Sequence, residues 1–325
     1  MSLKRKVFLT RLLPGPAMEE LKTLFDLSYN PKDRQLNRQD IIKGVRGKDG
    51  LISMLSDPID KTVINSCPSL KIIANYAVGY NNIDLGAATA RKVFVTNTPG
   101  VLSESTADLV WALILAVGRR LIEGDRLVRS GRWNGWAPTQ LLGSDIYGKT
   151  LGIVGMGRIG KAVAKRARGF SMQVLYYNRT RLDPIIEREL DAHSVSFEYL
   201  LANSDFLTLH VPLNTQTRHL IGKQELLRMK PNSYLINTSR GPVVNEMTLI
   251  EVLQKGRLAG AGLDVFEHEP RITTKLLRLK NVVVLPHIGT ASVETRIRMG
   301  LIVAENLKAV FEGRVPPHQV NAFKT

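Results

Sequence analysis

One cysteine, Cys67, stands alone in this 325-residue chain, so no disulfide can form within it. A lone thiol suits a reducing compartment, and the cytoplasm is the expected location. Long apolar runs are also missing. The longest, "LVWALILAV" from Leu109 to Val117, has nine residues, about half of the ~18 needed to cross a bilayer. It reads as a buried helix, and no membrane partner is expected. The opening "MSLKRKVFLT" has no apolar h-region or small-residue cleavage site, so no secretory leader is expected. Acidic residues are in deficit, 29 against 45 basic, for a formal charge of +16. That charge is spread, without a run of five basic residues and without the aromatic interleaving of RNA-binding surfaces. A solvated basic surface that also favours phosphate and carboxylate ligands is the reading. Contact with a polyanion is the alternative it leaves open, and nucleic acid is not the expected partner.

What is present is the composition of a soluble globular protein, 44% apolar and 23% charged, long enough for two domains. Short apolar runs alternate with amphipathic segments throughout. "KVFLT", "GLISML", "KIIANY" and "VFVTNT" read as strands, with "AMEELKTLF", "QDIIKGVR", "DKTVINS" and "LGAATARK" as helices between them. Such alternation calls for a parallel sheet covered on both faces. "TNTPGVLSES", Thr96 to Ser105, breaks the pattern with Pro99 and Gly100 and reads as a hinge, with Ser103 as N-cap of the helix through Leu109 to Val117. A second series follows, with strands "TLGIV", "QVLYY", "FLTLHV", "SYLINT", "AGAGLDV" and "VVVLP" and a late helix within Ser292 to Gly313. Between the two series lies "RLVRSGRWNGWAPTQLLGSDIYGK", Arg126 to Lys149. Its tryptophans suggest a subunit contact; a local cap on the domain is the alternative.

"LGIVGMGRIG", Leu151 to Gly160, is a GxGxxG loop in the right setting, with an apolar strand before it and "GKAVAKRARGF" as a helix after it. Gly155 permits the tight turn, Gly157 lets backbone approach a pyrophosphate, and Gly160 lets the helix pack closely. The loop as a whole, with Met156, Arg158 and Ile159, is the expected dinucleotide cradle at a helix N-terminus. The following strand, "QVLYY", normally ends in an acid that accepts hydrogen bonds from the ribose hydroxyls. Here it ends in Asn178, Arg179 and Thr180. Loss of the acid removes repulsion toward a 2′-phosphate, Arg179 supplies a fixed-charge fork and Thr180 a hydroxyl. The expected cofactor is NADP(H) rather than NAD(H).

Three later stretches carry chemistry-bearing residues just after apolar strands: "INTSRGPVV" with Arg240, "GLDVFEHEP" with Glu269 and "VVLPHIGTAS" with His287. Carboxyl ends of parallel strands line ligand crevices. A cation for a carboxylate or keto oxygen, an imidazole to give a proton, and an acid to fix its tautomer and keep it charged together suit hydride transfer to a 2-keto acid. Each residue alone at a strand end is more often structural. His193, His210, His219, His268 and His318 carry no comparable context. No G-x-S-x-G elbow or metal-ligand spacing appears. The residues by themselves reach an NADP oxidoreductase acting on a small anionic carbonyl.

The ordered motifs "NYAVGYNNID", "VTNTPGVLSESTADL", "GKTLGIVGMGRIG", "INTSRGPVVNE", "AGAGLDVFEHEP" and "LPHIGTAS" resemble those of the D-isomer-specific 2-hydroxyacid dehydrogenases, and among them the glyoxylate/hydroxypyruvate reductases. The likeness runs from "VFLTRLLP" to "PPHQVN". It implies NADPH-dependent reduction of glyoxylate and hydroxypyruvate to glycolate and D-glycerate, with Arg240, Glu269 and His287 catalytic. A dehydrogenase for another 2-keto acid, such as pyruvate or phenylpyruvate, is the neighbouring alternative, and a nucleotide-sensing corepressor the more distant one. It implies that the N–H groups of Val78 and Gly79 hold the substrate carboxylate near Leu55. Thr106 and Asp264 would adjoin the nicotinamide, Thr238 and Ser239 would line the cofactor, and Val211 and Pro212 would lie on its adenine side. The implied fold class is α/β with two doubly wound parallel-sheet domains, a Rossmann cofactor domain inserted in a flavodoxin-like substrate domain. Residues 1–99 and 288–325 would form the substrate domain, and residues 100–287 the NADP-binding domain. A dimerisation extension near 119–148 implies a homodimer that closes its cleft on a small 2-keto or 2-hydroxy acid. Asn81 departs from the aspartate that similar members often carry. Glu269 argues against the formate-oxidising branch, which has glutamine there, and the absence of sequence after Thr325 against the longer phosphoglycerate dehydrogenases.

Overall fold

The computed structural model describes residues 3–323. They divide into two units, one made of residues up to Leu102 together with those from Thr290 on, the other running from Ser103 to Gly289. Among the described residues no helix is long and apolar enough to cross a membrane.

The first unit holds strands β1 (Lys6–Leu9), β2 (Asp26–Tyr29), β3 (Gly50–Ser53), β4 (Ile72–Asn75) and β5 (Phe94–Thr96). They pair in the order β2-β1-β3-β4-β5, every contact parallel, which is the flavodoxin-like arrangement. β3 and β4 are buried along their whole length, as a sheet covered on both faces demands. One face is closed by the helices Gly15–Leu24 and Val293–Phe311, which pack on each other. Gly300 lies so close to Ala17 that a β carbon there would overlap it.

The second unit holds β6 (Thr150–Val154), β7 (Gln173–Tyr177), β8 (Ala192–Ser194), β9 (Phe206–Leu209), β10 (Tyr234–Asn237), β11 (Gly260–Leu263) and β12 (Val282–Val284). Their order is β12-β11-β10-β9-β6-β7-β8, again all parallel. The chain first winds from β6 outward to β8 and then returns to the other side at β9, so β6 and β9 flank the switch point of a Rossmann sheet. Successive strand residues point to opposite faces, and the core follows that alternation. Ile153, Tyr176, Phe206 and Ile236 pack under the helices Ser103–Gly118 and Arg158–Ala167. Val154, Leu175, Leu207 and Leu235 pack under Phe197–Asn203, Lys223–Arg228 and Glu246–Gln254. Two stacked ring pairs, Trp111 on Phe170 at 4.6 Å and Phe206 on Tyr234 at 4.8 Å, fill the first of these faces. Each fully buried large side chain there contributes about 1.5–3 kcal/mol.

The α/β class and both doubly wound sheets are as the sequence predicts, with two edge strands added. β2 and β8 escape the apolar-run criterion because each pairs on one side only and is short and half polar. Ser103 is the first residue of its helix rather than the cap. The turn at Val101–Leu102 leads directly into it.

Candidate active site

The last residues of six neighbouring strands stand in one register row: Tyr177, Val154, Leu209, Asn237, Leu263 and Val284. Because the strands are parallel, everything that follows them emerges along one edge of the sheet. Apart from Thr106, in the helix Ser103–Gly118, the sequence-predicted residues of this unit lie there: the glycine loop after β6, Asn178–Thr180 after β7, Val211 and Pro212 after β9, Thr238–Arg240 after β10, Asp264 and Glu269 after β11, and His287 after β12.

The glycine loop has a separate reason for each glycine. Gly155 has φ +95°, and a β carbon on it would stand 2.7 Å from the His210 carbonyl oxygen. A β carbon on Gly160 would overlap the Gly155 carbonyl, so the helix could not come this close to the turn. At Gly157, the residue preceding the helix Arg158–Ala167, a β carbon would meet nothing within 4 Å. That open side at a helix N-terminus is where an anionic group approaches backbone N–H donors. Met156 is buried, Ile159 half-buried and Arg158 exposed.

Asn178 ties the two glycine-side strands together. Its Oδ1 accepts from Met156 N at 3.3 Å, and its Nδ2 donates to the Thr180 carbonyl at 3.0 Å. Arg179 is exposed and donates to Gln216 Oε1 at 3.2 Å. The nearest acid in sequence, Asp183, is committed elsewhere, accepting from Ile185 N at the start of the helix Pro184–Leu190.

Around His287 the geometry is closely specified. His287 has φ +56° and its Nδ1 donates to Glu269 Oε2 at 2.8 Å. The other Glu269 oxygen accepts from Phe266 N at 2.9 Å. Burial works against the Glu269 carboxylate, but the His287 hydrogen bond and charge, the Phe266 N–H and Arg240 outweigh it and hold its pKa below the usual range. With Nδ1 engaged, Nε2 of His287 is the nitrogen left for a ligand. Arg240 is shaped by Asn237, whose Nδ2 donates to the Arg240 carbonyl at 3.0 Å and whose Oδ1 accepts from the backbone N–H and hydroxyl of Ser239 at 3.0 and 2.8 Å. Burial pulls the Arg240 guanidinium below arginine's usual range, with Glu269 opposing. Arg240 Nη1 donates to the Ser239 carbonyl at 2.7 Å.

Asp264 is buried, and its two oxygens accept from Ile288 N and Gly289 N, each at 2.8 Å. Burial pushes its pKa up against those N–H groups and the His287 charge. Thr106 is buried nearby, close enough to Gly289 that a β carbon there would stand 3.6 Å from its methyl. Thr238 Oγ1 and His210 Nε2 are buried without a hydrogen-bond partner among the described residues. Orphaned polar atoms beside a glycine cradle at the switch point are what a dinucleotide site presents to its ligand.

In the first unit, Leu55 follows β3 and Val78 and Gly79 follow β4, strands whose ends, Ser53 and Asn75, stand side by side. The Val78 carbonyl accepts from Asn97 Nδ2 and the Gly79 carbonyl from Asn75 Nδ2, both at 2.8 Å. Among the described residues the N–H groups of Val78 and Gly79 have no acceptor. Sequence reasoning missed Asn237, and also His219, Glu246 and Glu267, which interlock beneath Arg240 and Glu269. Glu267 sits in the quoted "FEHEP" motif, two residues before Glu269, and was the one available signal.

Residues 111–289 match the family described as D-isomer specific 2-hydroxyacid dehydrogenase, NAD binding domain. The chain is 50% identical over 323 residues to a glyoxylate reductase of Thermococcus litoralis, covering 98% of this chain and 97% of that one. Among solved structures, a protein from Thermus thermophilus superposes with a TM-score of 0.90 at 46% identity, over 97% of this chain and 99% of that one. An NADPH-dependent glyoxylate/hydroxypyruvate reductase from Sinorhizobium meliloti, in complex with NADP and malonate, does so with 0.87 at 33%, over 98% and 97%. With residues 111–289 matching that family and a relative 50% identical over 98% of the chain, the chain belongs to the family of D-isomer specific 2-hydroxyacid dehydrogenases.

Proposed function

We propose that this protein is an NADPH-dependent reductase of glyoxylate and hydroxypyruvate. The observation that carries the reading is the 2.8 Å pair of His287 and Glu269, set on the same sheet edge as Arg240 and the glycine cradle. The relatives at about half identity are glyoxylate reductases by name, which supports the substrate class.

The Gly155–Gly160 loop would hold the pyrophosphate on its N–H groups, Val211 and Pro212 would serve the adenine, and Thr238, Ser239, Thr106 and Asp264 the nicotinamide end. When bound, the reduced nicotinamide supplies the hydride. Asn178 leaves room without charge for a 2′-phosphate, and Arg179 and Thr180 bind it. The free N–H groups of Val78 and Gly79 clamp the substrate carboxylate beside Leu55. Arg240 donates to the substrate's carboxylate and keto oxygens. Its charge stabilises the oxyanion as negative charge develops there. His287 gives a proton from Nε2 to that oxygen, and Glu269, bonded to Nδ1, holds the ring in the required orientation. Residues 1–99 and 288–325 thus serve the substrate, and 100–287 the cofactor. The 119–148 segment, with Trp133 and Trp136 half or more exposed, supports a homodimer. A reducing cytoplasm suits the single, fully buried Cys67.

Steady-state kinetics with glyoxylate, hydroxypyruvate, pyruvate and phenylpyruvate against NADPH and NADH test the reading. The expected order has the first two acids and NADPH ahead. Faster turnover of pyruvate or phenylpyruvate would move the substrate assignment, and no keto-acid turnover would defeat it.

A further inference from the structure

The segments that carry Arg240 and Glu269 are fastened to each other by groups the reaction does not use. Gly241 lies so close to the chain ahead of Glu269 that a β carbon there would overlap the Phe266 carbonyl. Next to it, Glu246 and Glu267 exchange hydrogen bonds: Glu267 N donates to Glu246 Oε2 at 3.1 Å, and Glu246 N donates to Glu267 Oε2 at 3.3 Å. Thr273 Oγ1 closes the far end, donating to Glu246 Oε1 at 2.6 Å. The Glu267 carboxylate has little solvent around it, since its side chain is only 11% exposed. A carboxylate so placed needs a counter-charge or a donor.

His219 supplies it. Its Nε2 donates to Glu267 Oε1 at 2.6 Å, with Arg218 further off at 3.9 Å. The backbone of His219 belongs to the other segment: its N–H donates to the Pro242 carbonyl at 2.7 Å. Two residues on, Ile221 N donates to Val243 O and Asn245 N to Ile221 O, at 3.1 and 3.0 Å. His219 is therefore strapped by its main chain to the turn that follows Arg240 and by its ring to the segment that ends in Glu269.

We infer that His219 is a positioning residue for the reduction: through Glu267 it fixes Arg240 and Glu269, and with Glu269 the ring of His287, in one arrangement. This rests on the reading of the site given above. Small misplacements of reacting groups are expensive, with about 1 Å costing up to ~10²-fold in rate, so a strap that bears no substrate contact still governs turnover.

The test compares His219→Leu with His219→Gln. Both carry a β carbon at the positive φ of this position, so backbone strain is matched and only the donor differs. For His219→Leu, kcat with the best keto acid falls about tenfold or more, while the dissociation constant of NADPH stays within about twofold, because the glycine cradle is not part of the strap. His219→Gln, whose amide donates to Glu267, recovers to within about threefold of the parent. A His219→Leu enzyme with the parent's kcat, or a Gln variant as slow as the Leu variant, overturns the inference. Should the Leu variant not fold, His219→Asn, tolerated at positive φ but too short to reach Glu267, takes its place with the same loss expected. A parent protein that reduces no keto acid would defeat the functional reading itself, whereas an active parent with an unaffected variant defeats only the strap.

Discussion

Glu269 divides its two oxygens between His287 Nδ1 and the Phe266 N–H, at 2.8 and 2.9 Å. The carboxylate is thus held from behind while it orients the ring. His287→Ala should lower kcat by about 10²–10⁴-fold with NADPH binding retained. Glu269→Gln keeps the shape but replaces the charged acceptor of His287 Nδ1 by a neutral one, so its rate should fall. Cofactor titration alongside steady-state rates checks both, and unchanged turnover in the alanine variant would remove His287 as proton donor.

The proposed preference for NADPH assigns cofactor choice to Asn178 and Arg179. In Asn178→Asp combined with Arg179→Ala, the carboxylate still accepts from Met156 N but gains charge where a 2′-phosphate would sit. Preference, measured as the ratio of kcat/KM for NADPH and NADH, should shift toward NADH by about tenfold or more, equivalent to ~1.4 kcal/mol. A variant that still prefers NADPH would place 2′-phosphate recognition elsewhere.

Gly155→Ala meets two obstacles, a φ of +95° and the His210 carbonyl 2.7 Å from the new β carbon. Urea unfolding should show a loss of about 1–3 kcal/mol, and NADPH affinity should fall with it. Gly157→Ala, where the added carbon meets nothing in the protein, should leave stability nearly unchanged and weaken only the nucleotide.

The segment after the helix Ser103–Gly118 presents Val128, Trp133, Trp136 and Leu142 at 58, 51, 83 and 66% exposure. Apolar surface of this density fits the proposed subunit contact. Sedimentation equilibrium should give twice the chain mass for the parent and the chain mass for Trp133→Ser with Trp136→Ser. A monomeric parent would refute the dimer.

Acid stability has a defined contributor in Glu187. Its carboxylate accepts from Arg181 at 2.9 and 2.8 Å and from the Tyr176 hydroxyl at 2.5 Å, which hold its pKa down at about 2. The folded-state pKa lies below the ordinary 4.5, so the contribution is present above that value and lost as pH falls toward about 2. Thermal melts of the parent and Glu187→Gln should therefore differ by a steady margin at pH 5–7 and converge between pH 4.5 and 2. A gap that persists at pH 2 would assign the effect to shape rather than charge.

Much of this architecture is legible in the chain because buried parallel strands must be apolar on both faces. "GLISML", "TLGIV" and "FLTLHV" could hardly be anything else, and residues just after such runs fall on one sheet edge by topology alone. The glycine loop declares itself for a similar reason, since its turn and close helix contact exclude side chains. Other features have no local signature. Asp26–Tyr29 and Ala192–Ser194 are strands only because a neighbour offers them hydrogen bonds. The meeting of His219 with Glu267 spans 48 positions, and no spacing rule reaches that far. Asn237 resembles any strand-end asparagine until its two bonds to Ser239 and one to Arg240 are seen. Neither the φ of +56° at His287 nor the orphaned hydroxyl of Thr238 is encoded in a pattern of residue types.

The flavodoxin-like sheet is completed by the chain's last stretch. The helix Val293–Phe311 covers the helix Gly15–Leu24, Val320 N donates to Val95 O at 2.8 Å, and Asn321 Nδ2 donates to the Val93 carbonyl at 2.9 Å. On the ribosome, this order of assembly runs against the order of synthesis. The nucleotide-binding unit has all its strands once Gly289 has emerged, while the segment made first must wait, one sheet face only partly covered, until nearly the whole chain is out. During translation that waiting segment is the vulnerable one, and it is there that a chaperone would find exposed apolar surface.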